Sequence, residues 1–210
     1  MIITWDGQYT VRLQSKDLSI LLDPFTAAVG LKPSRVKADV IALTNPSNDE
    51  MSNTTSTQGD PILLDTPGEF SLSRSTLHGF GWHDDNGNEH VIQRWQIEGM
   101  VILNVGALGR QLTEDELSII DDLDIDILLV PVGGGQSFDA TGALKLITKV
   151  EPRLLIPVHF SLPNLKEKLQ PLATFSQEMG ISAVEPIDKL NIKANQLSAD
   201  GMQTVVLKPE

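Results

Sequence analysis

Short apolar runs separated by polar turns fill the first part of the chain. The runs Ile2 to Trp5, Tyr9 to Leu13 and Leu18 to Leu22 predict three β-strands that follow one another as a hairpin meander. A fourth run, Val40 to Leu43, is apolar at every position, which is typical of a buried strand. The chain therefore begins with strands and not with a long helix.

Further apolar runs extend the prediction of strands to the end of the chain. They are Pro61 to Leu64, Ser75 to Phe80, Val91 to Ile97, Met100 to Val105, Asp126 to Val132, Leu154 to Val158, Leu190 to Lys193 and Thr204 to Leu207. The segment from Trp82 to Gly87 lies between two of these runs and is rich in polar residues. We expect it to form an exposed loop.

Helices are predicted between the later strands. Thr113 and Glu116 have the spacing of a capping box, in which each side chain hydrogen-bonds the other residue's backbone N–H group. Asp139 is placed to cap a second helix. A third helical region is predicted over 163–179, with a break near Pro171. Strands and helices thus alternate in this half of the chain, which indicates an α/β protein.

The sharpest change from apolar to polar residues comes directly after the run Val40 to Leu43. Thr44 and Asn45 follow it at once, and polar residues predominate as far as Asn53. In α/β proteins, side chains just beyond a strand end are often those that build the site. The sequence therefore places the candidate site at this loop.

Composition narrows the class of protein. The chain has 210 residues, no cysteine and a formal net charge of −12. We expect a single domain over 1–210, located in the cytoplasm, without disulfides or thiolate metal sites. The acidic charge argues against nucleic-acid partners and against an anionic membrane surface. A small molecule or another protein remains as the expected partner, and the sequence leaves the oligomeric state open.

Several short motifs resemble the metallo-β-lactamase-fold hydrolases, in which a strand ends in Thr and a His-x-His-x-Asp-His loop follows. The matching elements are Asp23-Pro24, Thr44 with its loop, Pro67-Gly68-Glu69-Phe70, Gly106-Ala107-Leu108-Gly109 and Pro157-Val158-His159-Phe160. The resemblance covers nearly the whole chain and is strongest to compact prokaryotic members. It implies a four-layer αββα sandwich with two mixed sheets and a metal-dependent hydrolase activity.

The resemblance also assigns roles to individual positions, several of which carry a different residue here. Asp49 and His159 match ligands of the family, and His83 occupies the position of a further ligand. Asp23 is expected beside the metal loop as a supporting residue. The positions that depart from the family are Asn45 and Ser47, which replace the first two His, Glu50, which replaces the third, and Ala107, which replaces the Asp that bridges two metals.

These replacements favour a protein that has lost the dinuclear metal site and acts as a non-catalytic binding or scaffold protein without a cofactor. The alternative is a hydrolase of an ester, phosphodiester or lactone that holds at most one zinc or manganese ion through Asp49, Glu50 and His159, with Asp49 catalytic. A metal-free hydrolase with Asp49 as general base ranks last, because the sequence shows no apparent Ser–His or carboxylate pair. In a purely structural interpretation, Asp49 hydrogen-bonds the loop, Glu50 is solvated and a polar neighbour holds His159.

Overall fold

The computed structural model of the protein describes residues 1–84, 87–121, 124–198 and 201–210. Within these ranges the chain forms strands, three α-helices and two short 3₁₀ turns. The strands are β1 (Ile2–Gly7), β2 (Thr10–Gln14), β3 (Ser19–Leu22), β4 (Val40–Ala42), β5 (Ile62–Leu64), β6 (Gly68–Leu72), β7 (Ser75–His83), β8 (Glu89–Ile97), β9 (Met100–Asn104), β10 (Ile127–Pro131), β11 (Leu154–Val158), β12 (Leu190–Asn191) and β13 (Gln203–Thr204). The helices are α1 (Glu114–Asp121), α2 (Ala140–Val150) and α3 (Leu172–Glu178), and the 3₁₀ turns are Ala27–Val29 and Ala194–Gln196.

The strands form two mixed sheets, as the resemblance implied. The first sheet has the order β12-β1-β2-β3-β4-β5, with β1 to β3 antiparallel and β3 to β5 parallel. The second has the order β13-β11-β10-β9-β8-β7-β6, with parallel pairing from β9 through β13 and antiparallel pairing from β6 to β9. This is an α/β sandwich of the predicted fold class.

One apolar cluster joins the two sheets. It includes Trp5 and Leu13 from the first sheet and Trp95 and Leu103 from the second, all fully removed from solvent. Burying large aromatic and aliphatic side chains is the main favourable term in folding. The sheets therefore pack against each other through a common core, and the loops at their strand ends are held by that rigid base.

The predicted strands are confirmed except for the last, because β13 shares only Thr204 with the predicted run Thr204 to Leu207. One further difference matters for the site. Strand β7 runs on to His83, and Trp82 and His83 pair with His90 and Glu89 of β8. The prediction of an exposed loop over 82–87 was therefore wrong for its first two residues, since Trp82 is buried within the ladder. Of the rest of that segment, Asp85 and Asn86 lie outside the described residues.

The helix start signals are confirmed, whereas one helix is shorter than predicted. Thr113 and Glu116 make both hydrogen bonds of the capping box, and the Asp139 carboxylate accepts from the Gly142 N–H group at 2.8 Å. The helix predicted over 163–179 is wrong for its first half, because α3 begins only at Leu172. Backbone N–H groups of the preceding segment bond to other loops instead, including Lys166 to the Val29 carbonyl at 2.9 Å. None of the described helices is both long and apolar enough to cross a bilayer.

Candidate functional site

The polar loop begins at a buried carboxylate. Asp23 Oδ1 accepts hydrogen bonds from the backbone N–H group of Thr44 at 2.6 Å and from its hydroxyl at 2.8 Å, and Asn104 donates to Oδ2 at 3.4 Å. Burial raises the pKa of Asp23 to about 6, although the hydrogen bonds from Thr44 and Asn104 oppose this rise. Asp23 thus lies beside the loop, where the resemblance put it, and fixes the loop's first residue.

The turn after β9 packs tightly against the same threonine. Gly106 has φ +53°, and a Cβ atom at this position would lie 1.9 Å from the Thr44 hydroxyl oxygen. Only glycine fits there, because any other residue would clash with Thr44 and would also be strained at this φ. Ala107 follows directly, so this contact brings the position of the family's bridging Asp close to the start of the loop.

A cleft of about 780 Å³ opens where the loop, the β7–β8 hairpin and the turn after β9 meet. Six of the predicted positions line it, namely Asn45, Ser47, Asp49, Glu50, His83 and Ala107. Two predicted residues do not line it: Asp23 is buried behind Thr44, and His159 contacts other side chains. Ser47, Asp49 and Glu50 are exposed to solvent, and His83 is exposed at the end of β7.

One wall of the cleft consists of residues that the sequence reasoning did not single out. The ring of His90 stacks on the indole of Trp82 with centroids 4.2 Å apart, and the Arg110 guanidinium lies 4.6 Å from the Trp82 ring. Arg110 also forms two hydrogen bonds to the carboxylate of Glu116, at 2.8 and 2.6 Å. The hydrogen bonds from Arg110 lower the pKa of Glu116 to about 2. Stacking and the ion pair hold this wall in one arrangement.

His159 lies at the end of β11 with both ring nitrogens beside protein atoms. Its Nδ1 is 3.0 Å from the Ser137 hydroxyl, and its Nε2 is 3.2 Å from the Glu167 carboxylate. The ring of Tyr9 stacks on the imidazole with centroids 4.0 Å apart. Burial lowers the pKa of His159, and the hydrogen bond to Glu167 partly offsets this shift. A polar neighbour on each side holds the imidazole, as the purely structural interpretation expected. That interpretation was wrong for Asp49, because the loop bond comes from Asn48, whose Oδ1 accepts from the Glu50 N–H group at 2.9 Å.

The described residues fit a pair of metal ions poorly. Within the part of the chain that the structure describes, no group of three or more His, Asp and Glu side chains is arranged to hold a metal ion. Ala107 has no donor atom, and an amide and a hydroxyl at positions 45 and 47 are weak ligands for zinc beside imidazole. The carboxamide Oδ1 of Asn45 is nevertheless buried beside the cleft and has no hydrogen-bond partner among the described residues.

Fold and site together define the class of protein: an α/β sandwich of two mixed sheets with its cleft at the strand ends, as in the metallo-β-lactamase fold. A family model described as a β-lactamase superfamily domain matches residues 2–159, and the chain belongs to this family. Members of the family that it resembles are metal-dependent hydrolases.

Individual relatives support the same assignment. The chain is 34% identical to a UPF0173 metal-dependent hydrolase of Bacillus velezensis, over 77% of this chain and 86% of that protein. It is 30% identical to the metal-dependent hydrolase YtkL of Bacillus subtilis over the same shares of the two chains. A Thermotoga maritima crystal structure, assigned to the metallo-β-lactamase superfamily, superposes with a TM-score of 0.81 at 24% identity, covering 98% of this chain and 97% of that one. This last likeness shows the fold alone.

Proposed function

We propose that this chain has lost the dinuclear metal site of its family and that its cleft binds a small molecule without transforming it. Hydrolysis in the family depends on a metal ion that activates water and polarises the scissile group. The observation that carries the proposal is that both ring nitrogens of His159 contact protein side chains. Both of its ring nitrogens lie within hydrogen-bond distance of Ser137 and Glu167, so the imidazole is directed at protein atoms.

The remaining positions support the same conclusion. Asp49 and Glu50 lie at the exposed rim of the cleft, and neither makes a hydrogen bond through its side chain among the described residues. A metal ion bound in the cleft would need both carboxylates and an imidazole to point toward one place. Ala107, meanwhile, offers nothing to bridge two ions. What the cleft retains is a volume of about 780 Å³, within the range of small-molecule sites, and polar side chains that can orient a ligand.

The lining of the cleft indicates the chemistry of its ligand. The buried Asn45 Oδ1 is an acceptor that needs a donor, because a buried polar atom without a partner costs roughly 1–3 kcal/mol. Asp49 and Glu50 add negative charge at the rim, and the Arg110 guanidinium is already paired with Glu116. The ligand is therefore a hydrogen-bond donor that is cationic or neutral, such as an amine or a polyol, and not an anion.

Metal titration tests the first part of the proposal. Protein purified without chelator is analysed for bound metal and then titrated with Zn²⁺ and Mn²⁺ by calorimetry. We expect no saturable binding at millimolar metal and no metal-stimulated hydrolysis of ester, phosphodiester or lactone substrates. Two equivalents of metal per chain that are lost together in Asn45→Ala and Ser47→Ala would overturn the proposal.

The ligand class is tested by measuring the shift in the midpoint of thermal unfolding with a panel of amines, amino sugars and polyols. Simple carboxylates of similar size are measured alongside them for comparison. Asn45→Leu keeps the branched shape of the side chain and removes the acceptor, so the shift produced by an amine or polyol should disappear. Asn191→Leu is the matched control, since Asn191 is an exposed amide on β12 away from the cleft. A cleft that prefers the carboxylates would refute the ligand assignment.

One observation favours a second candidate function. Asp49, Glu50 and His83 line the same cleft, and carboxylates with an imidazole suit a single zinc or manganese ion. The alternative is therefore a mononuclear hydrolase of an ester, phosphodiester or lactone, in which His83 supplies the imidazole, or His159 does so after leaving its present partners. One equivalent of metal, with binding lost in Asp49→Ala and in either His83→Ala or His159→Ala, would favour this alternative over the binding protein.

A further inference from the structure

A second groove, of about 580 Å³, lies next to the cleft and is lined in part by the glycine turn after β10. Ser137 forms part of its wall, beside Gly133, Gly134 and Gly135. Ser137 is the first of three side chains joined by hydrogen-bond contacts, and the other two, His159 and Glu167, do not line the groove. The Ser137 hydroxyl is 3.0 Å from Nδ1 of His159, and Nε2 of the same ring is 3.2 Å from the Glu167 carboxylate. A hydroxyl, an imidazole and a carboxylate in this order are the parts of an activated serine nucleophile.

The imidazole is held in this position from several sides. Tyr9 stacks on one face at an interplanar angle of 14°. The His159 backbone N–H group donates to the Gln8 carbonyl at 3.0 Å, and His159 has φ +50°, which is uncommon for a residue other than glycine. Such strain persists only where the surroundings fix it, and it is frequent at functional sites. The ring cannot turn away from Ser137 without losing these contacts.

The carboxylate determines which ring nitrogen carries the proton. Glu167 accepts a hydrogen bond from the Nε2–H group, and the side chain of Gln8 donates to Glu167. In that tautomer the lone pair of Nδ1 faces the Ser137 hydroxyl. The hydroxyl also lies 3.1 Å from the Gly134 carbonyl and is hydrogen-bonded to Tyr9. The hydroxyl donates to the Gly134 carbonyl in the structure, and it can pass its proton to His159 once it turns toward Nδ1.

The glycine turn offers donors for a developing negative charge. Gly134 and Gly135 have φ +84° and +72°, and the backbone N–H groups of Gly135 and Gln136 have no acceptor among the described residues. A Cβ atom at Gly135 would lie 2.2 Å from the Glu167 carboxylate, so glycine is required for this carboxylate to reach His159. Of Gly135 and Gln136, only Gly135 lines the groove with Ser137, so its N–H group is the candidate donor for an oxyanion there.

From these contacts we infer that Ser137, His159 and Glu167 form a metal-free site in this groove that hydrolyses carboxylic esters. Ser137 Oγ attacks the ester carbonyl carbon while its proton moves to His159 Nδ1. The carbon–oxygen bond to the alcohol then breaks, and the departing oxygen takes that proton. A water molecule next attacks the acyl–serine ester, again giving its proton to His159, and the bond to Ser137 Oγ breaks as this oxygen regains a proton. The products are one alcohol and one carboxylic acid.

The roles in this site differ between the three residues. Ser137 and His159 are catalytic, because they exchange bonds or protons with the ester. Glu167 is a positioning residue, because it touches only the imidazole and sets its tautomer. The activity is additional to ligand binding in the cleft and does not depend on it.

Covalent labelling tests the nucleophile directly. The full chain is incubated with a fluorophosphonate probe in EDTA, and the modified peptide is identified by mass spectrometry. We expect labelling at Ser137, no labelling of Ser137→Ala, and unchanged labelling of Ser161→Ala, an exposed serine two residues beyond His159. Circular dichroism of Ser137→Ala establishes that it is folded. No labelling at a hundredfold excess of probe, or labelling at another serine, would overturn the inference.

Ester kinetics separate a catalytic site from a merely structural one. With p-nitrophenyl acetate in EDTA, Ser137→Ala should lose the protein-dependent rate, and Glu167→Gln should lower kcat by about 10²-fold or more with KM little changed. Glu167→Asp should recover part of the loss. A rate that EDTA abolishes would assign the activity to a metal ion instead and would refute the serine site. Unchanged kcat in Glu167→Gln would refute its positioning role.

Discussion

The buried carboxylate of Asp23 should make the protein's stability depend on pH in an unusual direction. Its pKa in the folded protein is about 6, against an ordinary value of 3.8, because burial disfavours the charged form. One pKa unit corresponds to about 1.4 kcal/mol, so the difference amounts to roughly 3 kcal/mol in total. The folded state binds this proton more tightly than the unfolded state. Stabilisation from Asp23 is therefore complete below about pH 4 and is lost as the pH rises through 6.

The variant Asp23→Asn isolates this contribution, because an amide has the shape of the carboxyl group and does not titrate. Urea unfolding of both proteins is measured from pH 4 to pH 7. The free energy of unfolding of Asp23→Asn, relative to the natural chain, should rise by about 2–3 kcal/mol across that range. Carboxylates whose pKa is lowered, such as Glu116, act in the opposite direction, but they are present in both proteins and cancel in the difference.

Asp39→Asn provides the matched control. Asp39 is an exposed carboxylate that accepts a hydrogen bond from the Ser19 N–H group at 2.8 Å and lies just before β4. This variant removes one surface carboxylate and so measures what the loss of a charge alone does to stability. The contrary result is a difference in the free energy of unfolding between Asp23→Asn and the natural chain that stays constant within about 0.5 kcal/mol from pH 4 to pH 7. It would show that burial does not disfavour the ionised form of Asp23, and the reasoning would fail.

Three further predictions concern the fold and its independence from metal. EDTA should leave the midpoint of thermal unfolding unchanged, since the common core of the two sheets needs no metal, and a fall of several degrees would reveal a structural ion. Gly106→Ala should lower the free energy of unfolding by about 3 kcal/mol or more in urea titrations, because its Cβ atom would collide with Thr44 at a positive φ. In Gly99→Ala the added Cβ atom meets no neighbouring atom, so this variant should lower the free energy of unfolding by less. Thr113→Ala should lower the free energy of unfolding by about 1 kcal/mol in the same assay, because the Thr113 hydroxyl would no longer accept from the Glu116 N–H group at the start of α1. An equal loss of stability in the exposed control Ser118→Ala would argue against a specific cap.

The fold could be predicted from the sequence because its strands carry strong local signals. Runs such as Val40 to Leu43 are apolar throughout, and the structure buries every one of these four residues. The signal failed at 163–171, where a helix was predicted but the backbone bonds to neighbouring loops. Local periodicity cannot register such competition from distant partners.

The site was predictable only as far as the family motifs extend along the chain. The loop and the turn at Ala107 were found through their short motifs, and the structure places both at one cleft. Ser137 and Glu167 carry no such signal. They lie 22 residues before and 8 residues after His159, in segments whose approach depends on the glycine turn and on the irregular backbone before α3.

The anchoring of the loop explains how its position is fixed independently of the residues that line the cleft. Thr44 is held by the Asp23 carboxylate through two hydrogen bonds, and Asn104 ties that carboxylate to the second sheet. The Thr44 carbonyl accepts in turn from the Val91 N–H group at 2.8 Å, which fixes the β7–β8 hairpin to the loop. All of these bonds lie behind the cleft and involve none of the metal-ligand positions. Residues 45 to 50 can therefore change without displacing the strands, because the scaffold does not depend on the side chains that line the cleft.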